Sequence, residues 1–401
     1  MRLLVLLVLA SACTSKPGET GTLAVRDSAG VRIAENPAHA PGVAPAWTVE
    51  PAPSVDIGAG GDDASGLHRV MAAARLANGH VLVASAGTHD LRLFDGAGRH
   101  LRTIGRRGEG PGEFDELGWA GAVRGDSIGA WDSGAKRLSI FDARGTFARA
   151  VTFHQVGGIF PQVHGSFADG SLVASSGVEP GEAFAAGGAW RDTAVFLRLG
   201  PDGASMDTLG RFPGAEQFTV APPGGRGTFL IETLPFGRRT VVAVSGERFL
   251  VGTGDRYEVT AFDRSGKLRE ITRKAHQPLP VTSRDVADYR RGLVTIGPAG
   301  SADRQAQDAL FAGAPVPETM PAYASLLADP LGNVWVQETQ RPGDRGAGVE
   351  WTVFDRGGRL VATVRTPAGL MVRQVGADWI LGTTRDADDA EHVRLHRLAR
   401  R

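Results

Sequence analysis

The chain has 401 residues, with 44 Lys and Arg balanced by 44 Asp and Glu, 55 Gly, 23 Pro and 42% apolar residues. That length excludes one small core, the charge balance removes the electrostatic case for nucleic acid, and the apolar share excludes disorder. So much Gly and Pro without a Gly-X-Y period implies many turns between many short strands.

The first predicted element is an export signal. Met1 and Arg2 give a positive start, residues 3–10 are all apolar, and Ser11 and Ala12 are small. The run is far shorter than the ~20 residues a membrane-spanning helix needs. Residues 1–12 therefore read as a signal peptide. Leu9-Ala10-Ser11-Ala12-Cys13 resembles a bacterial lipoprotein signal, in which Cys13 becomes the lipidated first residue. Ala10 departs from that pattern, which usually has Leu there; a plain secretory signal with an incidental Cys13 is the alternative. Cys13 is the single cysteine, so no intrachain disulfide forms, and acylation would consume a thiol that is a liability in an oxidising compartment. Residues 13–45 read as a tether and leader. Thr14, where Asp would favour inner-membrane retention, implies by the same resemblance the outer membrane of a Gram-negative-type cell envelope. A protein without the lipid would be periplasmic.

A repeat follows. One signature is a β-run ending in Phe-Asp, a turn with Gly, and a second β-run. Copies lie at Phe94-Asp95, Phe141-Asp142, Phe262-Asp263 and Phe354-Asp355, with a degenerate copy at Leu199 to Gly203. Asp can close an Asx turn, and Gly takes the positive φ of a tight hairpin. The second signature, upstream of the first, is a tight Gly turn between apolar runs. It occurs around Gly79, Gly125, Gly170, Gly246, Gly332 and Gly376. Each unit thus reads as a four-stranded antiparallel meander, which cannot bury both its faces alone. The predicted fold class is all-β: a six-bladed β-propeller of four-stranded antiparallel blades over 46–401, with a β-solenoid as runner-up. The last unit lacks a fourth strand, and an extra run, Ser54-Val55-Asp56-Ile57-Gly58, occurs early. This N-terminal strand is expected to close the last blade.

Arg106-Arg107-Gly108-Glu109-Gly110-Pro111-Gly112-Glu113-Phe114, with the Phe-Asp-x-x-Gly turns, resembles the blade linkers of NHL-type six-bladed propellers. Val25 to Ile33 is similar to the leader of uncharacterised six-bladed bacterial lipoproteins. That resemblance implies the propeller and leaves function open, because the family includes binding scaffolds and some enzymes.

Strand order makes a geometric prediction. Turns one–two and three–four share one end of the ring, and these are short. The other end carries the insertions 105–117, 176–192, 212–238, 273–322, 339–349 and 383–391. Within the largest, residues 283–289 and 302–311 read as short helices, giving a helical insertion at about 276–320. Long loops on a rigid scaffold are the default place for binding; capping of the ring is the plainer role.

The candidate ligand-binding residues on that end are His68, His89, Arg106, Arg107, Glu109, His154, His164, Arg239 and Arg256. His276 also falls there. The His residues are scattered, without a linear metal motif, and no nucleophile elbow or phosphate cradle is present. Gly58-Ala59-Gly60-Gly61 reads as an inter-blade linker. Trp119, Trp131, Trp335 and Trp379 sit at strand positions and read as blade packing.

The expected function is therefore a non-catalytic exported lipoprotein whose long-loop end binds a protein, a glycan or a small ligand. It would be a monomer that touches the membrane through its lipid alone, and no cofactor is expected. The alternative is a metal-dependent hydrolase or lyase of the propeller lactonase and lyase kind, with calcium or zinc at the channel mouth. A purely structural envelope component is a third reading. The mature N-terminus should carry a diacylglyceryl group on Cys13 by mass spectrometry; an unmodified terminus beyond Cys13 would end the lipoprotein reading.

Overall fold

The structure, a computed structural model, describes residues 22–38, 47–58, 66–158, 161–176, 188–203, 205–220, 230–293, 301–344 and 346–400. The signal segment, Cys13 and residues 59–61 lie outside them. The fold is all-β and propeller-like.

Four strands come first: β1 (Ala24–Ser28), β2 (Val31–Asn36), β3 (Trp47–Val49) and β4 (Val55–Ile57). The first sheet is the meander β5 (Val70–Arg75), β6 (Val81–Ser85), β7 (Asp90–Phe94), β8 (His100–Ile104). The second is β9 (Leu117–Ala122), β10 (Ile128–Asp132), β11 (Arg137–Phe141), β12 (Phe147–Thr152). The third has a fifth strand: β13 (Gln162–Ser166), β14 (Leu172–Ser175), β15 (Gly188–Leu199), β16 (Met206–Val220), β17 (Leu230–Thr233).

The fourth sheet contains β18 (Val241–Ser245), β19 (Arg248–Gly252), β20 (Glu258–Phe262) and β21 (Leu268–Lys274). Helices α1 (Ser283–Arg291) and α2 (Ala302–Ala312) follow. The fifth sheet contains β22 (Ser325–Ala328), β23 (Val334–Gln337), β24 (Glu350–Phe354) and β25 (Leu360–Arg365). The last contains β26 (Met371–Val375), β27 (Trp379–Arg385) and β28 (Glu391–Ala399).

The early strands are stitched into late sheets. β4 pairs antiparallel with β28, Ile57 opposite Val393, and so lies outside the last strand of the chain. Asp56 reinforces this pairing, its carboxylate meeting His392 Nδ1 at 2.7 Å and Arg394 Nε at 2.9 Å. The leader differs from a free tether. β1 and β2 form a hairpin, and β2 pairs parallel with β21, making the fourth sheet six-stranded. Ile33, Ala34 and Asn36 of β2 are buried. The Asn36 amide donates to Gly358 O and its oxygen accepts from Leu360 N, so the leader also grips the fifth sheet. β3 sits between β25 and β28 and joins the fifth and last sheets.

Apolar clusters lie between successive sheets. Leu82 and Leu91 meet Ile128 and Phe141 between the first and second. Trp131 and Leu138 meet Val163 and Leu172 between the second and third. Phe196 meets Phe249 between the third and fourth, and Leu250 meets Val336 between the fourth and fifth. Trp335 meets Ile380 between the fifth and last. Leu381 and Val393 then meet Val81 and Val83 of the first sheet, so the succession returns to its start.

The repeated turn performs two tasks. In Asp95, Asp142, Asp263 and Asp355, Oδ1 accepts backbone N–H bonds from residues two and four ahead, as an Asx turn should. The Gly then abuts the preceding sheet. A Cβ at Gly145 would lie 2.3 Å from Ile104 Cδ1 of β8, and one at Gly266 would lie 2.6 Å from Leu209 O of β16. Gly266 has φ +77°, so a side chain there meets backbone strain and an unyielding backbone oxygen together. Gly30 has φ +78° with open space around it. Gly30→Ala should therefore cost about 1 kcal/mol and Gly266→Ala on the order of 2–4 kcal/mol, read from urea midpoints. Equal losses would remove close sheet approach as the reason for the repeated Gly.

Candidate functional site

Antiparallel pairing places the connections 105–116, 253–257, 275–324 and 338–349 at one end of the array and the short Asp and Gly turns at the other. Over the third to fifth sheets the insertions differ from the expected loops. Part of 176–192 and 212–238 is strand: β15 and β16 run on as a hairpin, with Trp190 Nε1 donating to Thr219 Oγ1 at 2.8 Å, and β17 adds to it. The aromatic and β-branched residues at these positions favour extended chain.

This hairpin, the 234–240 loop and the two helices share a small apolar core of their own. Phe218, Leu234 and Ala314 are buried in it with Leu310 and Phe311 packed against them. Tyr289 of α1 bridges Phe311 and Phe236, with ring centroids 6.3 and 5.3 Å apart. Helix α1 begins at Ser283, where the sequence places it, and runs two residues further than expected, to Arg291. Thr282 is the N-cap and forms a capping box with Asp285. Burial would raise the Asp285 carboxyl, but Thr282 and Arg341 overcome this and hold it below its usual range. Arg341 thereby ties the 338–349 loop to the helix.

A polar node lies beside that core. Arg191 NH1 meets Asp255 Oδ1 at 3.0 Å, Arg238 meets Glu216 at 3.3 Å, and Arg238 NH2 donates to Thr319 Oγ1 at 3.0 Å. Its charged members are Arg191, Glu216, Arg238 and Asp255. Arg239 and Arg256, the sequence candidates that adjoin Arg238 and Asp255 in the chain, are left exposed at the same place.

Deeper, between the fourth and fifth sheets, lies a network that sequence reasoning missed. Glu338 Oε1 accepts from Tyr257 OH at 2.6 Å, from Lys274 Nζ at 2.7 Å and from Thr352 Oγ1. Burial would raise the Glu338 carboxyl; Lys274, helped by Thr352 and Tyr257, outweighs it and lowers the pKa. Burial and the Glu338 charge push the Tyr257 phenol well above its ordinary value. The Lys274 ammonium lies 4.1 Å from the Tyr257 ring centre, and the His276 ring stands 5.5 Å from that ring. Burial, then the Lys274 charge, lowers the His276 pKa, and its Nε2 has no partner among the described residues. With its donors converging on one oxygen, the network binds β21 and β24 to the residues that flank β20 and β23.

The remaining candidates are dispersed. Arg106 pairs with Glu113 at 2.8 Å and Arg107 with Asp115 at 3.6 Å, while Glu109 O accepts from Arg137; these residues stiffen the linker between the first two sheets. His68 and His154 are exposed. His89 has φ +56° and a buried Nδ1 with no partner among the described residues. His164 faces the packing: its Nε2 lies 3.0 Å from Ser175 Oγ and its ring 5.4 Å from Phe196. Trp119, Trp131, Trp335 and Trp379 all join clusters between sheets. Among the described residues no group of three or more His, Asp and Glu is gathered as a metal ion would require, and no helix is long and apolar enough to cross a membrane.

No protein-family model matches the chain, and none of the curated proteins does. Solved structures do. A DUF4221-family protein of Bacteroides vulgatus is 12% identical over 88% of this chain and 99% of its own, with a TM-score of 0.51. A Bacteroides fragilis protein assigned as exported gives 11%, 92%, 100% and 0.49. A gluconolactonase of Xanthomonas campestris gives 14%, 89%, 99% and 0.43. The likeness is one of fold, all-β and propeller-like.

Burial holds the His164 pKa down to about 4, below the ~6.5 of an unfolded chain. The unfolded state therefore binds more protons between these values, and stability falls as pH drops from about 6.5 to about 4. Replacing His164 with Phe should flatten that part of the stability profile measured by urea unfolding. Parallel profiles for the two proteins would show that the imidazole is not held neutral.

Proposed function

We propose that the chain is an exported, six-bladed propeller, anchored through Cys13, that serves as a non-catalytic scaffold and binds an envelope protein or a glycan at its long-loop end. The cyclic succession of apolar clusters supports the blade count, with the lead strands β5, β9, β13, β18, β22 and β26 neighbouring one another in the same cyclic order. The charge, apolar run and small residues before Cys13 support export.

One observation carries the binding reading. The insertions over the third to fifth sheets are joined into a single cap by their own apolar core and ion-pair node. Ordering such segments costs entropy that loops covering a ring need not spend, and a rigid surface on a rigid scaffold binds with less further loss. Arg239 and Arg256 stand exposed beside the node, available to carboxylates, sulfates or sugar hydroxyls.

The test uses photo-crosslinking side chains at two positions in cells, Arg256 on the cap and Leu331 on a turn at the opposite end. Adducts should form from position 256 alone, and Arg239→Glu should remove them. Equal labelling from both positions, or none, overturns the assignment. Elemental analysis of the same protein tests the other chemistry. Stoichiometric calcium or zinc, lost to a chelator together with thermal stability, would support the metal-dependent hydrolase or lyase instead.

A further inference from the structure

The opposite end of the array has a cavity of about 640 Å³, bounded by turns of the first, fourth, fifth and last sheets. Arg75, Trp379, Gln374, Val244, Ser245 and Ala328 are among its walls. That volume lies within the roughly 300–1,000 Å³ typical of small-molecule sites.

Its wall is fixed by an unusual joint. Gln374 Oε1 accepts from the backbone N–H of Arg75 at 2.6 Å, and Gln374 Nε2 donates back to Arg75 O at 3.4 Å. One side chain of β26 thereby holds the end of β5. The Arg75 side chain is laid on Trp379, its guanidinium carbon 5.2 Å from the ring centroid. Among the described residues no carboxylate or carbonyl takes its N–H groups. Neighbouring arginines are different: Arg400 pairs with Asp329 at 2.7 Å and Arg248 with Glu270 at 3.3 Å. Asp329, the carboxylate at the cavity edge, is fully engaged elsewhere, accepting from Trp335 Nε1, Asn333 Nδ2 and Arg400.

We propose that this cavity is a second binding site, distinct from the cap, that takes a small organic carboxylate with a flat apolar body. A guanidinium resting on an indole keeps its N–H edges free, and two of them match both oxygens of one carboxylate. The concave wall concentrates its uncompensated positive charge. Val244 and Ala328 offer small apolar surface against which a planar group can lie, beside the guanidinium that the Trp379 ring supports.

Benzoate, its neutral isostere benzamide and inorganic phosphate serve as probes in calorimetric titrations of the mature protein. Benzoate should bind at least about tenfold tighter than benzamide, the difference expected for charge-assisted bonds, and tighter than phosphate. Arg75→Gln should weaken benzoate about tenfold or more and leave benzamide unchanged, whereas Arg26→Gln on the exposed β1 should change neither. Should Arg75→Gln fail to fold, Ala77→Trp at the exposed lip blocks the cavity and should abolish binding. Equal affinity for benzoate and benzamide, preference for phosphate, or benzoate binding that survives either cavity variant overturns the site. Failure of the cap crosslinking would leave these titrations untouched.

Discussion

A sheet such as β9–β12 has two apolar faces and water is denied to both. Ile128 and Ala130 of β10 point to the first sheet, while Trp131 points to the third. The alternation follows from the two-residue period of a strand, and each face carries bulky side chains that only another sheet can cover. The early strands stitched into late sheets, the bridging β3 and the glycine turns all follow from keeping successive sheets close. At Gly266 a side chain is excluded because a backbone oxygen of the preceding sheet is already there, and at Gly145 because Ile104 is.

Much of this was legible in the chain because its signals are local. The Asp of each Phe-Asp-x-x-Gly turn bonds two and four residues ahead, so its chemistry is complete within one short stretch. The same device at Asp329 and Asp386 lacks the preceding Phe and so escapes the pattern, although each accepts the matching N–H pair. The partner of Val55–Ile57 was legible too, since a missing strand and a spare one are both visible by count. What escaped was set by distance along the chain. Lys274 and Glu338 are 64 residues apart and carry no motif. The leader β1–β2 pairs with β21, which nothing in its own residues specifies. Residues 188–192 and 212–220 look like insertion because they lengthen a unit, yet they continue its strands.

The candidate residues show why charge alone is a poor guide to a site. The candidates Arg106 and Arg107, and Arg238 and Asp255 beside the candidates Arg239 and Arg256, are charged residues on the long-loop end. Arg106, Arg107 and Arg238 are satisfied by neighbouring carboxylates, Asp255 is such a carboxylate, and the structural role absorbs them. Exposed ion pairs of this kind add little stability singly, but the Arg191, Glu216, Arg238 and Asp255 group links four separate segments, and a network loses less entropy per bond than isolated pairs do. Arg75 stands apart from them because its neighbour is a ring instead of a carboxylate.

The contact between Asp56 and His392 joins residues 336 positions apart. A ribosome adds about 5–20 residues per second, so β4 leaves the tunnel on the order of half a minute before its partner exists. Throughout that interval the first sheet has one uncovered flank, and Val81 and Val83 have nothing to lie against. Such a chain needs custody while it grows. No early segment can lock into the closed array ahead of the last strand.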